Sequence, residues 1–136
     1  MARSKVPHAL EMREFKYGTA SEAEKDLKAQ ELRSLGRRAE AILLFEGRGE
    51  HPFLAEEETW AVAEGNGFHL VSLIRLGHAV APERLRDCAA SAEGKGRWLD
   101  ARLCYLEVGD EAAIRKIGEH LPASLQPAPE PEASEE

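Results

Sequence analysis

Residues 36–50 read GRRAEAILLFEGRGE and residues 96–110 read GRWLDARLCYLEVGD, and the two stretches align without a gap at an offset of 60 residues. Glycine, arginine, alanine and leucine recur at equivalent positions, and Phe45 aligns with Tyr105. A copy between them is indicated by AEGNG at 63–67, which matches AEGKG at 92–96 at an offset of 29 residues. The chain therefore repeats itself with a period of about 30 residues.

A period of this length accommodates two helices of about 12 residues and two turns. One helical hairpin cannot bury its apolar side alone, whereas stacked hairpins form a continuous core. We therefore expect an all-α fold of about seven helices, arranged as three helix-turn-helix repeats of about 30 residues plus a terminal capping helix. The composition agrees, since 43% of the residues are apolar and alanine and leucine dominate them.

Helical spacing also indicates which side chains fill the core and where helices begin. Pro52 and Pro82 suit first helical turns, and Asp110 is placed to cap the last helix. Segment 68–76 is apolar nearly all round, which predicts a buried central helix. The side chains that we expect to be largely buried are Ile42, Phe45, Leu73, Trp98, Tyr105, Leu106 and Ile114.

These features resemble the tetratricopeptide-like helical repeats. From the first unit to the third, the residues that carry the match are Ala29, Leu32, Gly36, Ala41 and Phe45, then Ala63, Gly67 and Leu76, then Leu85, Cys88, Ala89, Ala92, Gly96, Ala101 and Tyr105. The units are shorter than is usual in that family, and Trp60 falls where it places a small residue. The resemblance implies a concave groove, lined by the first helix of each unit, that binds an extended or helical peptide.

In that geometry, the outward positions of the first helices are candidate partner-binding residues, namely Asp26, Gln30, Arg33, Glu57, Glu64, Arg86 and Glu93. Four of them are acidic and two are basic, so the groove is expected to prefer a basic or neutral segment. Trp60 is a further candidate. A tryptophan that does not fit a tight helix contact either widens the packing or lies exposed as an interface anchor.

Three segments are expected along the chain. Residues 1–20 form a partly ordered N-terminal segment, residues 21–121 form the helical-repeat domain, and residues 122–136 form a disordered tail. The tail reads PASLQPAPEPEASEE, in which proline and glutamate recur without any apolar period.

Charge and hydropathy exclude several classes of partner. The formal net charge is −7, and an acidic chain repels a phosphate backbone, so we expect no nucleic acid partner. No stretch approaches the roughly 20 apolar residues of a membrane span, and the N-terminus lacks the apolar region of a signal peptide. We therefore expect a cytoplasmic protein that does not associate with membranes, with Cys88 and Cys104 as buried, reduced thiols.

Signatures of catalysis are missing from the sequence, which contains no phosphate loop, GxSxG or HExxH motif, and no ligand spacing among its histidines. We therefore expect no enzymatic activity, no cofactor and no metal. The leading interpretation is a non-catalytic protein–protein interaction module that binds a peptide or protein segment. Two alternatives remain open: a small acidic chaperone or escort for an unfolded or exported client, and a structural subunit of a larger assembly. Open repeat ends would also allow a homo-oligomer.

Overall fold

The computed structural model describes residues 21–122, and this range contains helices and turns but no strand. Seven helices follow one another in it: α1 (Glu22–Ser34), α2 (Arg38–Leu43), α3 (Pro52–Glu64), α4 (Gly67–Arg75), α5 (Pro82–Gly94), α6 (Trp98–Val108) and α7 (Glu111–Gly118). The predicted all-α class and number of helices are confirmed, while their grouping into three family repeats stays a prediction. The predicted N-terminal segment 1–20 and the tail beyond Pro122 lie outside the described residues.

Five of these helices, α1 and α3 to α6, end in the same turn. A glycine with positive φ follows each of them, and the next residue donates its N–H to the carbonyl five residues earlier, at 2.8–3.1 Å. This is the Schellman arrangement, which satisfies carbonyl groups that a helix end leaves unpaired. The glycines that break the sequence pattern are thus the residues that stop the helices. No helix in residues 21–122 combines the length and apolar character that a membrane span requires.

The helix starts follow equally local rules. Ser21 caps α1 in a reciprocal capping box with Glu24. As predicted, α3 and α5 begin at Pro52 and Pro82. Asp110 caps α7 by accepting a hydrogen bond from the backbone N–H three residues later, at 3.1 Å.

The two aligned stretches share their first turn and then differ. Arg37 and Arg97 precede α2 and α6, and each forms an ion pair with the carboxylate three residues later. However, α2 has 6 residues and α6 has 11. Gly47 stands where the second stretch has Glu107, and it adopts a φ of +77° that a helix does not allow. The first stretch therefore leaves the helix earlier.

The described chain divides into two compact units, and α3 and α4 contribute residues to both. The first contains the described residues up to Glu57 together with Ser72–Ala79. The second contains Glu58–Val71 together with the described residues from Val80 onward. Within the first unit α1 packs against α2, and within the second α6 packs against α5 and α7.

Large apolar side chains fill the core of the first unit. Phe45 is fully buried, stacks on Phe53 with ring centroids 4.8 Å apart, and lies 4.6 Å from the ring of His51. The other buried apolar side chains of this unit are Ala29, Leu32, Ala41, Ile42, Leu44, Leu54 and Leu73. The predicted burial of Ile42, Phe45 and Leu73 is confirmed.

Smaller side chains dominate the core of the second unit, which consists mainly of Ala61, Val62, Leu70, Val71, Leu85, Cys88, Ala89, Ala92, Ala101, Cys104, Ile117 and Leu121. Trp98, Tyr105 and Ile114 are only half-buried. The prediction for Leu106 is wrong, because this side chain is 45% exposed. The helix that was expected to be buried, α4, has buried side chains at His69, Leu70, Val71 and Leu73, whereas its Phe68 is 55% exposed.

Gly65 and Gly67 lie where neighbouring backbone leaves no room for a side chain. A Cβ on Gly67 would lie 2.2 Å from the carbonyl oxygen of Asp100, and one on Gly65 would lie 2.6 Å from the backbone nitrogen of Ala92. The Asp100 carboxylate also accepts a hydrogen bond from the N–H of Phe68 at 3.2 Å. The AEGNG stretch is therefore a close-packing site at the start of α4 as well as a turn.

Candidate functional site

Helix α6 carries apolar side chains on two opposite sides. Ala101 and Cys104 on the inner side are fully buried. On the outer side, Leu99, Leu103 and Leu106 follow one another at spacings of four and three residues, which places them on one face. Leu99 is 42% exposed and Leu106 is 45% exposed, while Leu103 is half-buried. We call these three residues the leucine face. A surface helix ordinarily has a polar outer side, so this face is unusual for one.

An open cavity of about 360 Å³ extends this apolar surface at the N-terminal end of α6. Leu99 and the exposed Phe68 line it, together with Trp98, which stacks on His120 with ring centroids 3.9 Å apart. Apolar and aromatic walls of this kind suit an apolar side chain of a binding partner.

Charged residues flank the leucine face. Arg102 immediately precedes Leu103, and Glu107 immediately follows Leu106, so helical geometry places the two charges on opposite flanks. Arg102 is half-buried, and its Nε is a buried donor without a hydrogen-bond partner in the described part of the chain.

The sequence itself indicates this exposed apolar surface, although the prediction of buried side chains did not take it into account. The stretch WLDARLCYLEV places apolar residues on two opposite sides of a helix, and only one of these sides meets the core. Periodicity alone therefore assigned Leu106 to the interior.

Glu57 was predicted to point outward into a groove, and this prediction is wrong because its side chain is fully buried. Its carboxylate accepts hydrogen bonds from Arg33 Nε at 2.7 Å and from Arg38. The Arg33 guanidinium also donates to Glu56 at 2.9 Å and lies 3.8 Å from the centroid of the Phe53 ring. A buried carboxylate requires such partners, so Glu57 belongs to the interior of the first unit and Arg33 serves as its partner there.

The other predicted residues of the first unit are Asp26 and Gln30. Asp26 is half-buried, and its carboxylate lies 2.9 Å from the guanidinium of Arg48 and 3.6 Å from the ring of His51. Gln30 is exposed. Three of the four predicted residues in this unit are thus engaged in ion pairs within the fold.

In the second unit, two predicted residues lie at the surface. Glu64 lies 3.7 Å from the ammonium of Lys95, and Arg86 lies 4.0 Å from the carboxylate of Asp110. Both pairs are long and exposed, so each adds little to stability.

The remaining two predicted residues are half-buried. Trp60 lies edge-on to His69, with ring centroids 5.3 Å apart and an interplanar angle of 83°, so it is neither a fully buried nor a fully exposed side chain. Glu93 accepts a hydrogen bond from the hydroxyl of Tyr105. Burial raises the pKa of Tyr105 above its ordinary value, and the bond to Glu93 raises this pKa further.

Cys88 and Cys104 are fully buried free thiols, and the Cys88 thiol donates a hydrogen bond to the carbonyl oxygen of Ala61 at 3.6 Å. The neighbouring Cys88 thiol, followed by burial, raises the pKa of Cys104 well above the ordinary value of a thiol. Within residues 21–122, no group of three or more histidine, cysteine or acidic side chains is arranged to hold a metal ion.

No protein-family model, curated protein or solved structure matches this chain.

Proposed function

We propose that this protein is a non-catalytic helical interaction module that binds a protein partner through the leucine face of α6. The observation that carries this proposal is the exposure of Leu99 and Leu106 beside exposed Phe68, at an aromatic-lined cavity. Contiguous apolar surface of this kind is typical of interaction sites.

The chemistry of the face suits a helical partner. Removing apolar surface from water contributes roughly 25 cal/mol per Å². Leucines spaced by four and three residues present a ridge that packs against the apolar side of an amphipathic helix. The expected preference for a basic partner was based on the groove residues. It does not carry over to the leucine face, which is flanked by a positive charge at Arg102 and a negative charge at Glu107.

The groove is the less favoured location for binding. Glu57 and Arg33 bond to each other, and Asp26 pairs with Arg48, so a ligand would compete with contacts that the fold already makes. The chaperone and structural-subunit alternatives use the same apolar face and differ in the number of partners.

Site-specific photo-crosslinking tests this proposal. A photoreactive phenylalanine analogue is placed at Leu106, or at exposed Gln30 as the groove control, and the protein is irradiated in a lysate of its native cells. We expect one discrete adduct from position 106, lost when Leu99→Glu is added, and none from position 30. The Leu99→Glu variant is checked for unchanged helicity and melting temperature, because Leu99 is exposed.

The other outcomes separate the alternatives. Many adducts from position 106 would favour a chaperone. An adduct from position 30 alone would return the interface to the groove and overturn the proposal.

A further inference from the structure

Resting on the proposed function, we infer that the partner at the leucine face is a second copy of this chain, whose α6 lies parallel to the first across a two-fold axis. The charges on the two flanks of the face are complementary to those on the same face of a second copy.

The outer side of α6 has the pattern of a two-helix seam. In a heptad lettered a to g, Leu99 and Leu106 take position d and Leu103 takes position a. Arg102 then falls at position g and Glu107 at position e. These are the positions that border the apolar seam between two paired helices, and charges there set partner choice and orientation.

The two charges distinguish a parallel pair from an antiparallel one. When two identical helices pack in parallel about a two-fold axis, the g flank of each meets the e flank of the other. Arg102 of each copy then faces Glu107 of the other, five residues further along. In an antiparallel two-fold pair, like flanks meet, and Arg102 faces Arg102. The face is therefore self-complementary in the parallel arrangement.

The two flanking charges are accessible to a second copy, since Glu107 is exposed and Arg102 is half-buried. The contact is symmetric, so each copy contributes the same surface and the assembly closes at two chains. Because the seam is short, the dimer is expected to be weak and dependent on concentration.

Sedimentation velocity of the full chain, from micromolar to millimolar concentration, is the first measurement. We expect a monomer–dimer equilibrium that Leu106→Glu shifts fully to monomer. Arg102→Glu and Glu107→Arg should each weaken self-association on the order of tenfold, because each places like charges across the seam. Lys116→Glu, an exposed change on α7 with the same effect on net charge as Arg102→Glu, should leave the dimer unchanged.

Mixing the two charge-reversal variants tests whether charges on the two flanks pair with each other. The single reversals distinguish the two orientations, because in an antiparallel pair, where like flanks already meet, neither reversal would add a new repulsion. An equimolar mixture of Arg102→Glu and Glu107→Arg should form a heterodimer as tight as the parent dimer, because both flank pairs regain opposite charges. The double variant in one chain should likewise self-associate as the parent does. Circular dichroism confirms that each variant keeps its helices.

Several results would overturn the inference. A parent dimer whose charge variants fail to complement each other would exclude the parallel arrangement. A chain that stays monomeric at millimolar concentration, while position 106 still crosslinks to another protein, would exclude self-pairing and leave the proposed function standing. A monomer without any adduct from position 106 would overturn both.

Discussion

Glu57 shows how much one buried charge matters to this fold. Its carboxylate is fully buried between the guanidinium groups of Arg33 and Arg38, whose side chains are 20% and 25% exposed. Removing one member of such a cluster destabilises the fold far more than replacing all its members with apolar residues would, because the remaining charges lose their partner without regaining full hydration.

We therefore expect Glu57→Gln to lower the free energy of unfolding by about 2–3 kcal/mol, below the range for fully buried pairs because both arginines keep some contact with water. Urea denaturation measures this change. The matched control is Glu56→Gln, whose parent side chain is 61% exposed and which should cost less than about 1 kcal/mol. Equal losses in the two variants would show that Glu57 is not a structural charge.

A second prediction at the scale of one residue concerns Tyr105. Its pKa is raised in the folded state, first by burial and then by the hydrogen bond to Glu93. The folded protein therefore favours the neutral phenol. The resulting stabilisation is complete below the ordinary tyrosine pKa of about 10 and is lost as the pH rises above it.

We expect the free energy of unfolding of the parent to fall between about pH 9 and about pH 11 more steeply than that of Tyr105→Phe. The variant lacks the hydroxyl, so it should be less stable at neutral pH but flatter in alkali. Parallel pH profiles would mean that Tyr105 ionises as freely in the folded chain as in the unfolded one.

At the scale of secondary-structure elements, the start of α4 lies in close contact with α6. Gly67 approaches the backbone of Asp100, and the Asp100 carboxylate binds the first turn of α4. Helix pairs come this close only where one side chain is absent, and the close approach positions exposed Phe68 beside Leu99 at the shared cavity.

Gly67→Ala is expected to destabilise the protein by about 3 kcal/mol or more, because its Cβ would lie 2.2 Å from a carbonyl oxygen that cannot move freely. Gly94→Ala is the matched control, since a Cβ at Gly94 meets nothing within 4 Å. That control should melt at the parent temperature or slightly above it. Thermal denaturation of both variants provides the comparison, and an unaffected Gly67→Ala would show that α4 and α6 lie further apart.

At the scale of the whole molecule, the two buried thiols report on opening of the second unit. Cys88 lies on α5 and Cys104 lies on α6, and neither side chain is exposed. A thiol reagent reaches them only when these helices separate, so the rate of labelling follows the population of open molecules.

Both thiols should react slowly with an aromatic disulfide reagent in native buffer and at once in urea. Gly67→Ala should accelerate native labelling about tenfold for every 1.4 kcal/mol by which it destabilises the fold. Native labelling as fast as that of a small-molecule thiol would contradict the burial of this pair.

Helix identity and helix ends follow from local chemistry, which is why the sequence predicts them well. A positive φ at Gly36 or Gly96, a proline at the first turn of α5 and a carboxylate at Asp110 act on the adjoining backbone, so neighbouring residues are sufficient to infer them. The all-α class and the number of helices depend on the same local rules.

The candidate site depends on contacts between residues distant in the chain, and a local sequence pattern does not predict these contacts. Leu106 and Ala101 both satisfy helical apolar spacing, but only one side of α6 meets neighbouring helices, so packing leaves Leu106 in water. Helical spacing placed Glu57 at an outward position, yet Arg33 and Arg38 enclose it once the chain folds. Burial is a property of what packs against a residue, and that is settled only when separate helices come together.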